Sequence, residues 1–341
     1  MAVSTILVTA VNALFPLILT ILLGYVLKMR GFLTEEFLKV GNKMVFNVCL
    51  PAMLFVNVYD IAGFSAINWD IVLYAVAAFF VVVAVGFMIT VVSTPVPERR
   101  GVIWQCTFRS NFGIIGLTLA AALGGSEAVA VAAIVSSFTV PLFNVVSVIA
   151  LSVFTDGSKG KTSVKSIVMN ILKNPLIIGV VAGLAVLGIR ELQNAVFGRL
   201  IFSLERDTYF IYKVLSNLKT MCTPLALLVL GGQFEFSAVK GLMKEIVAGT
   251  LSRIVIAPLI GIGCAALVAA HTDWLSCGVN EYPALIAMFG SPVAVSSAVM
   301  AGNMGSDEQL ATQLVVWTSI FSIFTIFAQV CILMGAGLLA V

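Results

Sequence analysis

The sequence predicts an all-α polytopic membrane protein with ten transmembrane helices. Of its 341 residues, 60% are hydrophobic and only 10% are charged, whereas a soluble globular domain carries about 25% charged residues. Apolar runs recur from one end to the other, most of them close to the twenty residues that cross a hydrocarbon core of about 30 Å. Because lipid offers no partner to backbone N–H and C=O groups, we expect every run to be helical.

The ten predicted spans follow the apolar runs in order. They cover residues 5–27, 38–58, 71–93, 102–123, 127–153, 174–189, 213–232, 246–270, 282–303 and 309–338. The sixth span is short and the last is long, and we expect each boundary to move by a few residues.

The orientation of the spans follows from the lysines and arginines of the loops. Every second loop is basic: Lys28, Arg30, Lys39 and Lys43 lie in the first, Arg99 and Arg100 in the third, Lys159, Lys161, Lys165 and Lys173 in the fifth, and Lys240 and Lys244 in the seventh. Basic loops stay in the cytoplasm. We therefore expect a multi-pass protein of the cell (inner) membrane with both termini outside the cytoplasm.

The spans divide into two sets of five. Residues 1–153 form the first predicted five-helix repeat, residues 154–173 a charged cytoplasmic linker, and residues 174–341 the second repeat. The fourth span ends in Gly-Gly-Ser-Glu at 124–127, and the ninth ends in Met-Gly-Ser-Asp-Glu at 304–308. An odd number of spans in each half forces opposite insertion, and inverted repeats are common in secondary transporters.

Two spans carry helix breakers beside small polar residues at matching positions. The fourth span reads Arg-Ser-Asn-Phe-Gly at 109–113, and the ninth reads Gly-Ser-Pro at 290–292. Glycine and proline loosen the helical ladder, and the freed amides and helix N-termini favour an anion. The alternative is close helix packing through small residues. The predicted substrate-binding residues are Arg109, Ser110, Asn111, Gly113, Ser291, Pro292 and, in the second span, Asn47.

Arg109 is the one basic residue that we place well inside a span. It lies about 12 Å along the fourth helix at a rise of about 1.5 Å per residue. An arginine at that depth is costly and usually functional, and its planar fork suits a carboxylate. The alternatives are snorkelling back to the headgroups and a structural pair.

The sequence lacks the motifs that are typical of other classes of function. There is one histidine, His271, and no HExxH or GxxxxGK[ST] sequence; the six cysteines form no CxxC pair. We therefore expect no catalytic residues, no metal and no cofactor. The net charge of +3 is small, and its placement in loops indicates topology rather than nucleic-acid binding. An intramembrane enzyme is disfavoured because no catalytic constellation is present.

Three stretches together carry a family resemblance. They are Asn42-Lys43 through Leu50-Pro51-Ala52, Arg109-Ser110-Asn111 with Gly113, Gly116 and Leu117, and Pro283-Ala284 through Pro292 into Gly302-Asn303. The chain resembles the auxin efflux carrier family of the bile acid:sodium symporter-like superfamily, which includes plant auxin exporters and bacterial malonate or malate carriers. The short fifth loop is similar to that of prokaryotic members.

The resemblance implies a fold and a substrate class. It implies ten helices in two inverted five-helix repeats, with broken, crossing helices 4 and 9 at the site, and often a homodimer. Family substrates are mostly organic anions with a carboxylate. Asn111 matches the asparagine at the crossing. Plant members tend to carry a proline beside it, so here Gly113 would have to supply the break.

The sequence thus predicts a secondary transporter of the efflux or exchanger type. It would move a small organic anion, a mono- or dicarboxylate, across the lipid bilayer by alternating access, with a proton or sodium as a possible coupling ion. Two alternatives stay open: a sodium-coupled organic-anion symporter of the bile-acid type, and a membrane sensor that does not transport.

Overall fold

A computed structural model describes residues 3–60, 69–155, 173–272 and 274–339, without the side chains of residues 3–14, 114, 118 and 155. Nearly all of the described residues are helical, and none of them forms a strand. Seven helices in this part of the chain are long and apolar enough to cross a membrane. The prediction of a polytopic helical membrane protein is therefore confirmed. Nearly all of the predicted linker, residues 154–173, lies outside the described residues.

The helices are labelled in chain order. They are α1 (Val3–Met29), α2 (Glu35–Tyr59), α3 (Trp69–Ser93), α4 (Pro97–Phe108), α5 (Leu117–Thr155), α6 (Pro175–Phe197), α7 (Leu204–Asp207), α8 (Tyr209–Gln233), α9 (Ala238–His271), α10 (Glu281–Leu285), α11 (Ser296–Asn303) and α12 (Glu308–Gly335). A π-helical turn, Phe112–Gly116, leads into α5, and a second, Ile286–Gly290, extends α10. Further π-helical turns lie within α2 and α9.

Two glycines redirect the chain at corresponding places. Gly125 has a φ of 66° and divides α5 into two limbs, and Gly305 has a φ of 73° between α11 and α12. A side chain with a Cβ rarely adopts this left-handed conformation, whereas glycine adopts it freely. Each glycine therefore ends one helical segment and lets the next begin in a new direction.

Polar side chains join several helices at one end of the molecule. Arg99, at the start of α4, donates to Glu245 of α9 at 2.9 Å and to Asp307, just before α12, at 3.0 Å. The backbone N–H of Asp307 in turn donates to the carbonyl of Glu98. We call this end, which also holds the beginnings of α2 and α12, the Arg99 end.

Glu308 makes a second connection at the Arg99 end. Its Oε1 accepts from the side-chain amide of Asn42 in α2 at 2.5 Å and from that of Gln233 in α8 at 2.9 Å. The carboxylate of Glu308 packs directly against Gly302 of α11, where a Cβ would collide with it. One carboxylate thus ties α12 to both α2 and α8. The far end of α2, where Asp60 follows the helix, is called the Asp60 end.

Glycines also set how closely α6 approaches α2. A Cβ on Gly179 would lie 2.6 Å from the carbonyl oxygen of Pro51, whereas a Cβ on Gly188, further along α6, would meet open space. Small residues let backbones approach closely in membrane proteins. Gly179 therefore permits the contact of α6 with α2 at the proline of the second span.

We predict that Gly179→Ala destabilises the protein by roughly 1–3 kcal/mol, the usual cost of overpacking. The matched control, Gly188→Ala on the same helix, should be neutral or slightly stabilising, because alanine has the higher helix propensity. Thermal unfolding of the detergent-purified variants measures the difference. Equal unfolding temperatures for the two variants would contradict the close approach of α6 and α2.

Candidate functional site

The two spans that carry helix breakers are both interrupted in the structure. In the first, the chain leaves helical geometry after α4: Arg109 has φ −85° and ψ 95°, and Asn111 has φ −81° and ψ 45°. In the second, the π-helical turn after α10 ends at Gly290, and α11 begins only at Ser296. Each interruption exposes backbone groups that a continuous helix would pair.

The two interruptions hydrogen-bond to each other. The N–H of Asn111 donates to the carbonyl of Pro292 at 2.8 Å, and the N–H of Ala294 donates to the carbonyl of Arg109 at 3.2 Å. Between them lies an isolated antiparallel bridge. The two broken helices therefore meet at their breaks, where the two segments run antiparallel.

Arg253 of α9 satisfies the carbonyls at both breaks. Its Nη1 donates to the carbonyl of Thr107 at 3.1 Å, and its Nε donates to that of Ser291 at 2.9 Å. Its Nη2 donates to the carbonyls of Met288 at 2.9 Å and Phe289 at 2.6 Å. The side chain is buried, with 1% of its surface exposed. One guanidinium therefore serves four carbonyls that belong to the two interrupted helices.

The prediction that Arg109 is the one basic residue well inside a span was wrong. Arg253 lies within the predicted span 246–270 and Lys219 within 213–232. Both positions could be read from the sequence. The sequence does not show, however, which carbonyls Arg253 bonds, because those acceptors become available only where the two helices break.

Arg109 points into the crossing. Its Nη2 donates to Oδ1 of Asn144 and to Oγ of Ser296, each at 2.8 Å, and its Nη1 lies 2.6 Å from Sδ of Met300. The residue is only 4% exposed. Within the described ranges, no carboxylate lies within 4.0 Å of the guanidinium. The snorkelling alternative is wrong, because neutral groups inside the protein hold the cation.

A cavity of about 360 Å³ lies beside the crossing, between the interruptions and helices α2, α5 and α8. Four of the seven predicted substrate-binding residues line it: Arg109, Ser110, Asn111 and Gly113. The other polar or charged lining residues are Asn57, Asn144, Lys219, Thr220, Thr223 and Ser296, which sequence reasoning had not assigned to the site. Their only signal in the sequence is a polar or charged side chain within a predicted span.

Two polar groups of the cavity wall have no partner in the described part of the chain. They are the hydroxyl of Ser110 and the side-chain amide nitrogen of Asn111, on residues that are 4% and 5% exposed. A buried donor without a partner is expensive, so such groups need an explanation. Both residues line the cavity beside Arg109, where an acceptor oxygen would satisfy them.

Asn47 does not line the cavity, contrary to the prediction. It is exposed, and its side-chain amide donates to the carbonyl of Lys43 in its own helix at 2.9 Å. In a regular α-helix, Asn47 would share a face with Leu54, seven residues later, which does line the cavity. Asn47 itself lies within the π-helical turn Val45–Cys49, which shifts the register between Asn47 and Leu54, since a π-helix has wider turns.

Two of the predicted residues, Ser291 and Pro292, form part of the crossing and do not line the cavity. Ser291 donates its hydroxyl to the carbonyl of Ala287 at 2.6 Å and is completely buried. Pro292 contributes the carbonyl that accepts from Asn111.

Gly113 does line the cavity, but it lies within a π-helical turn, and the chain leaves helical geometry earlier, at 109–111. The expectation that Gly113 supplies the break was therefore wrong.

A second cavity of about 190 Å³ continues the first toward the Asp60 end. The two share Leu54, Asn57, Gly113, Val140 and Lys219, and the second is lined in addition by Asp60. No residue that joins the helices at the Arg99 end lines either cavity. Among the described residues, the two cavities therefore extend from the crossing toward the Asp60 end.

The chain matches the model of a protein family described as "Membrane transport protein" over residues 9–328. The chain belongs to this family of membrane transport proteins. This confirms the resemblance to the auxin efflux carrier-like families, and it confirms that the protein is a transporter and not an enzyme.

Two archaeal relatives of this transporter cover almost its whole length. An uncharacterized transporter of Methanothermobacter thermautotrophicus is 22% identical over 92% of this chain and 95% of its own. An uncharacterized transporter of Methanocaldococcus jannaschii is 24% identical over 91% of this chain and 94% of its own. The similarity therefore extends over the whole membrane domain rather than over the site alone.

We predict that Arg253→Met strongly destabilises this transporter, because four buried carbonyls lose their donor and each unsatisfied polar group costs about 1–3 kcal/mol. Arg253→Lys should give an intermediate loss, since an ammonium cannot reproduce the planar fork. The control is Arg100→Met, whose side chain donates to the single carbonyl of Thr94. Thermal unfolding in detergent provides the comparison. A loss for Arg253→Met no larger than that for Arg100→Met would contradict the bonding described.

Proposed function

We propose that this protein is a secondary transporter, of the efflux or exchanger type, that moves a small organic anion by alternating access. The anion is a mono- or dicarboxylate. The observation that carries the proposal is the cavity at the crossing, where Arg109 lies beside two polar groups, those of Ser110 and Asn111, that have no partner among the described residues.

The chemistry of the site suits a carboxylate. Arg109 is buried among neutral partners, so its charge is not compensated by any acid of the described chain. A guanidinium forms strong hydrogen bonds to a carboxylate, and a low-dielectric site strengthens the attraction. The amide of Asn111 and the hydroxyl of Ser110 would donate to the same oxygens. A neutral solute would leave the cation uncompensated.

Two observations support the arrangement of ten helices in two inverted repeats, residues 1–153 and 174–341. The left-handed glycines Gly125 and Gly305 each follow the interrupted helix of their half. The interruptions also pair in antiparallel fashion, as oppositely inserted halves require. In this assignment, α4 with the first limb of α5 is the fourth span, and α10 with α11 is the ninth.

Access to the site would alternate between the two ends. By the positive-inside rule, the basic Arg99 end faces the cytoplasm, and the cavities open at the outer, Asp60 end. Release to the cytoplasm would then require that Glu308 lose its bonds to Asn42 and Gln233, since these bonds hold α12 against α2 and α8.

Transport in proteoliposomes tests the site. We predict that Arg109→Lys and Asn111→Ala each lower the uptake of labelled acetate, malonate or succinate by at least about tenfold, a loss of about 1.4 kcal/mol in affinity or barrier. Asn47→Ala is the matched control and should retain uptake, because Asn47 lies outside the cavity. Full uptake by both site variants would overturn the proposed site.

The same vesicles separate the alternatives. Uptake that requires a sodium gradient would indicate a sodium-coupled symporter, and uptake driven by a pH gradient would indicate proton coupling. Binding of a carboxylate without any flux would indicate a sensor and would contradict the proposed transport.

Glu308 offers a test of alternating access. In a cysteine-free background, Thr223→Cys places a thiol on the cavity wall, and we expect an impermeant reagent to label it from the Asp60 end. Adding Glu308→Ala should increase labelling from the Arg99 end several-fold, because α12 loses both amide contacts. The control is Glu36→Ala, an exposed acid in the first turn of α2. Unchanged labelling would show that Glu308 does not hold that end closed.

A further inference from the structure

Lys219 lines the cavity at the crossing, but the proposed function gives it no role. It lies about 15 Å from the start of α8 at a rise of about 1.5 Å per residue, and it lines both cavities. A lysine within a membrane-spanning helix is costly and is retained mainly where it faces a water-filled path or a partner. Lys219 faces the path that the two cavities form between the Asp60 end and Arg109.

The partner of Lys219 is Asp60, at the mouth of the path. The Nζ of Lys219 lies 3.0 Å from Oδ2 of Asp60, and the two side chains are 33% and 38% exposed. An ion pair with this much exposure contributes little to stability, because water screens it. Asp60 also accepts from the hydroxyl of Tyr212 at 3.2 Å. It would therefore keep one partner if Lys219 turned away.

We infer that Lys219 is a substrate-binding residue, which exchanges the carboxylate of Asp60 for the carboxylate of the transported anion. The inference rests on the proposed function. Before the anion arrives, Asp60 compensates the ammonium. An anion that enters the cavity competes with Asp60 for the same donor, and the exchange leaves Asp60 with the hydroxyl of Tyr212. The anion therefore meets Lys219 before it reaches Arg109.

This exchange predicts that substitutions of Lys219 and of Asp60 change the dissociation constant of the anion in opposite directions. Lys219→Met removes the group that binds the anion, so the dissociation constant of the anion should rise at least about tenfold. Asp60→Asn removes the competitor, so the dissociation constant should fall several-fold. A pair that only joins α2 to α8 predicts a different result, since either substitution breaks the same contact and both would then act in the same direction.

The double variant separates partner exchange from a general effect of charge. If Asp60 acts through Lys219, Asp60→Asn should have almost no effect in a Lys219→Met background, because the competition no longer exists. If Asp60 merely repels anions from the mouth, its removal would tighten binding equally in both backgrounds. That second result would overturn the inference.

The experiment measures binding of acetate, malonate and succinate, as N-methylglucamine salts, to purified wild type and variants by isothermal titration calorimetry. Thermal unfolding without carboxylate confirms that each variant is folded. The control is Lys28→Met, which breaks the Lys28–Glu35 pair, away from both cavities, and should leave the dissociation constants unchanged. High salt should reduce the effect of Lys219→Met, because the pair is partly exposed.

The outcomes distinguish the two proposals. A wild type that binds none of the three carboxylates contradicts the proposed function and the inference with it. A wild type that binds, with both Lys219→Met and Asp60→Asn unchanged or both weakened, overturns the inference alone. Opposite effects that disappear in the double variant support the exchange.

Discussion

The whole site depends on the bonds that Arg253 donates to the backbone. Breaking two helices in the interior of a membrane protein releases carbonyls that lipid cannot solvate. Arg253 takes up four of them with one side chain, and two backbone hydrogen bonds join the segments 109–111 and 292–294. These bonds satisfy backbone groups that the breaks release beside the cavity.

The two buried arginines show how surroundings decide the role of one residue type. Arg253 is surrounded by carbonyl oxygens, which take four of its five N–H donors. Arg109 contacts an amide oxygen, a hydroxyl and a thioether, all neutral, and it lines the cavity. The first arginine therefore supports the backbone, while the second keeps an uncompensated charge at the place where an anion would bind.

Much of the fold was predictable because lipid restricts the choices. Long apolar runs must form helices, and glycine, proline and small polar residues mark where a helix breaks. Four residues chosen on that ground, Arg109, Ser110, Asn111 and Gly113, line the cavity, while their contact with a substrate stays a prediction. The site residues that were predicted to line the cavity and do not line it are placed by the path of the backbone. Asn47 lies off the face of α2 that lines the cavity because of a π-helical turn, and no pattern of residues in the sequence predicts that turn. Ser291 and Pro292 support the crossing because their carbonyls accept hydrogen bonds from Arg253 and from Asn111.

The antiparallel bridge between the two breaks has a thermodynamic consequence. Arg109, Ser110, Asn111 and Ser296 all belong to segments that this bridge ties together, whereas the walls from α2 and α8 are separate helices. A solute held by the tied segments would keep the same polar contacts whichever compartment it faces. These contacts would then contribute equally to the affinity on both sides, so a difference in affinity between the two sides would have to come from the separate helices, Lys219 of α8 among them.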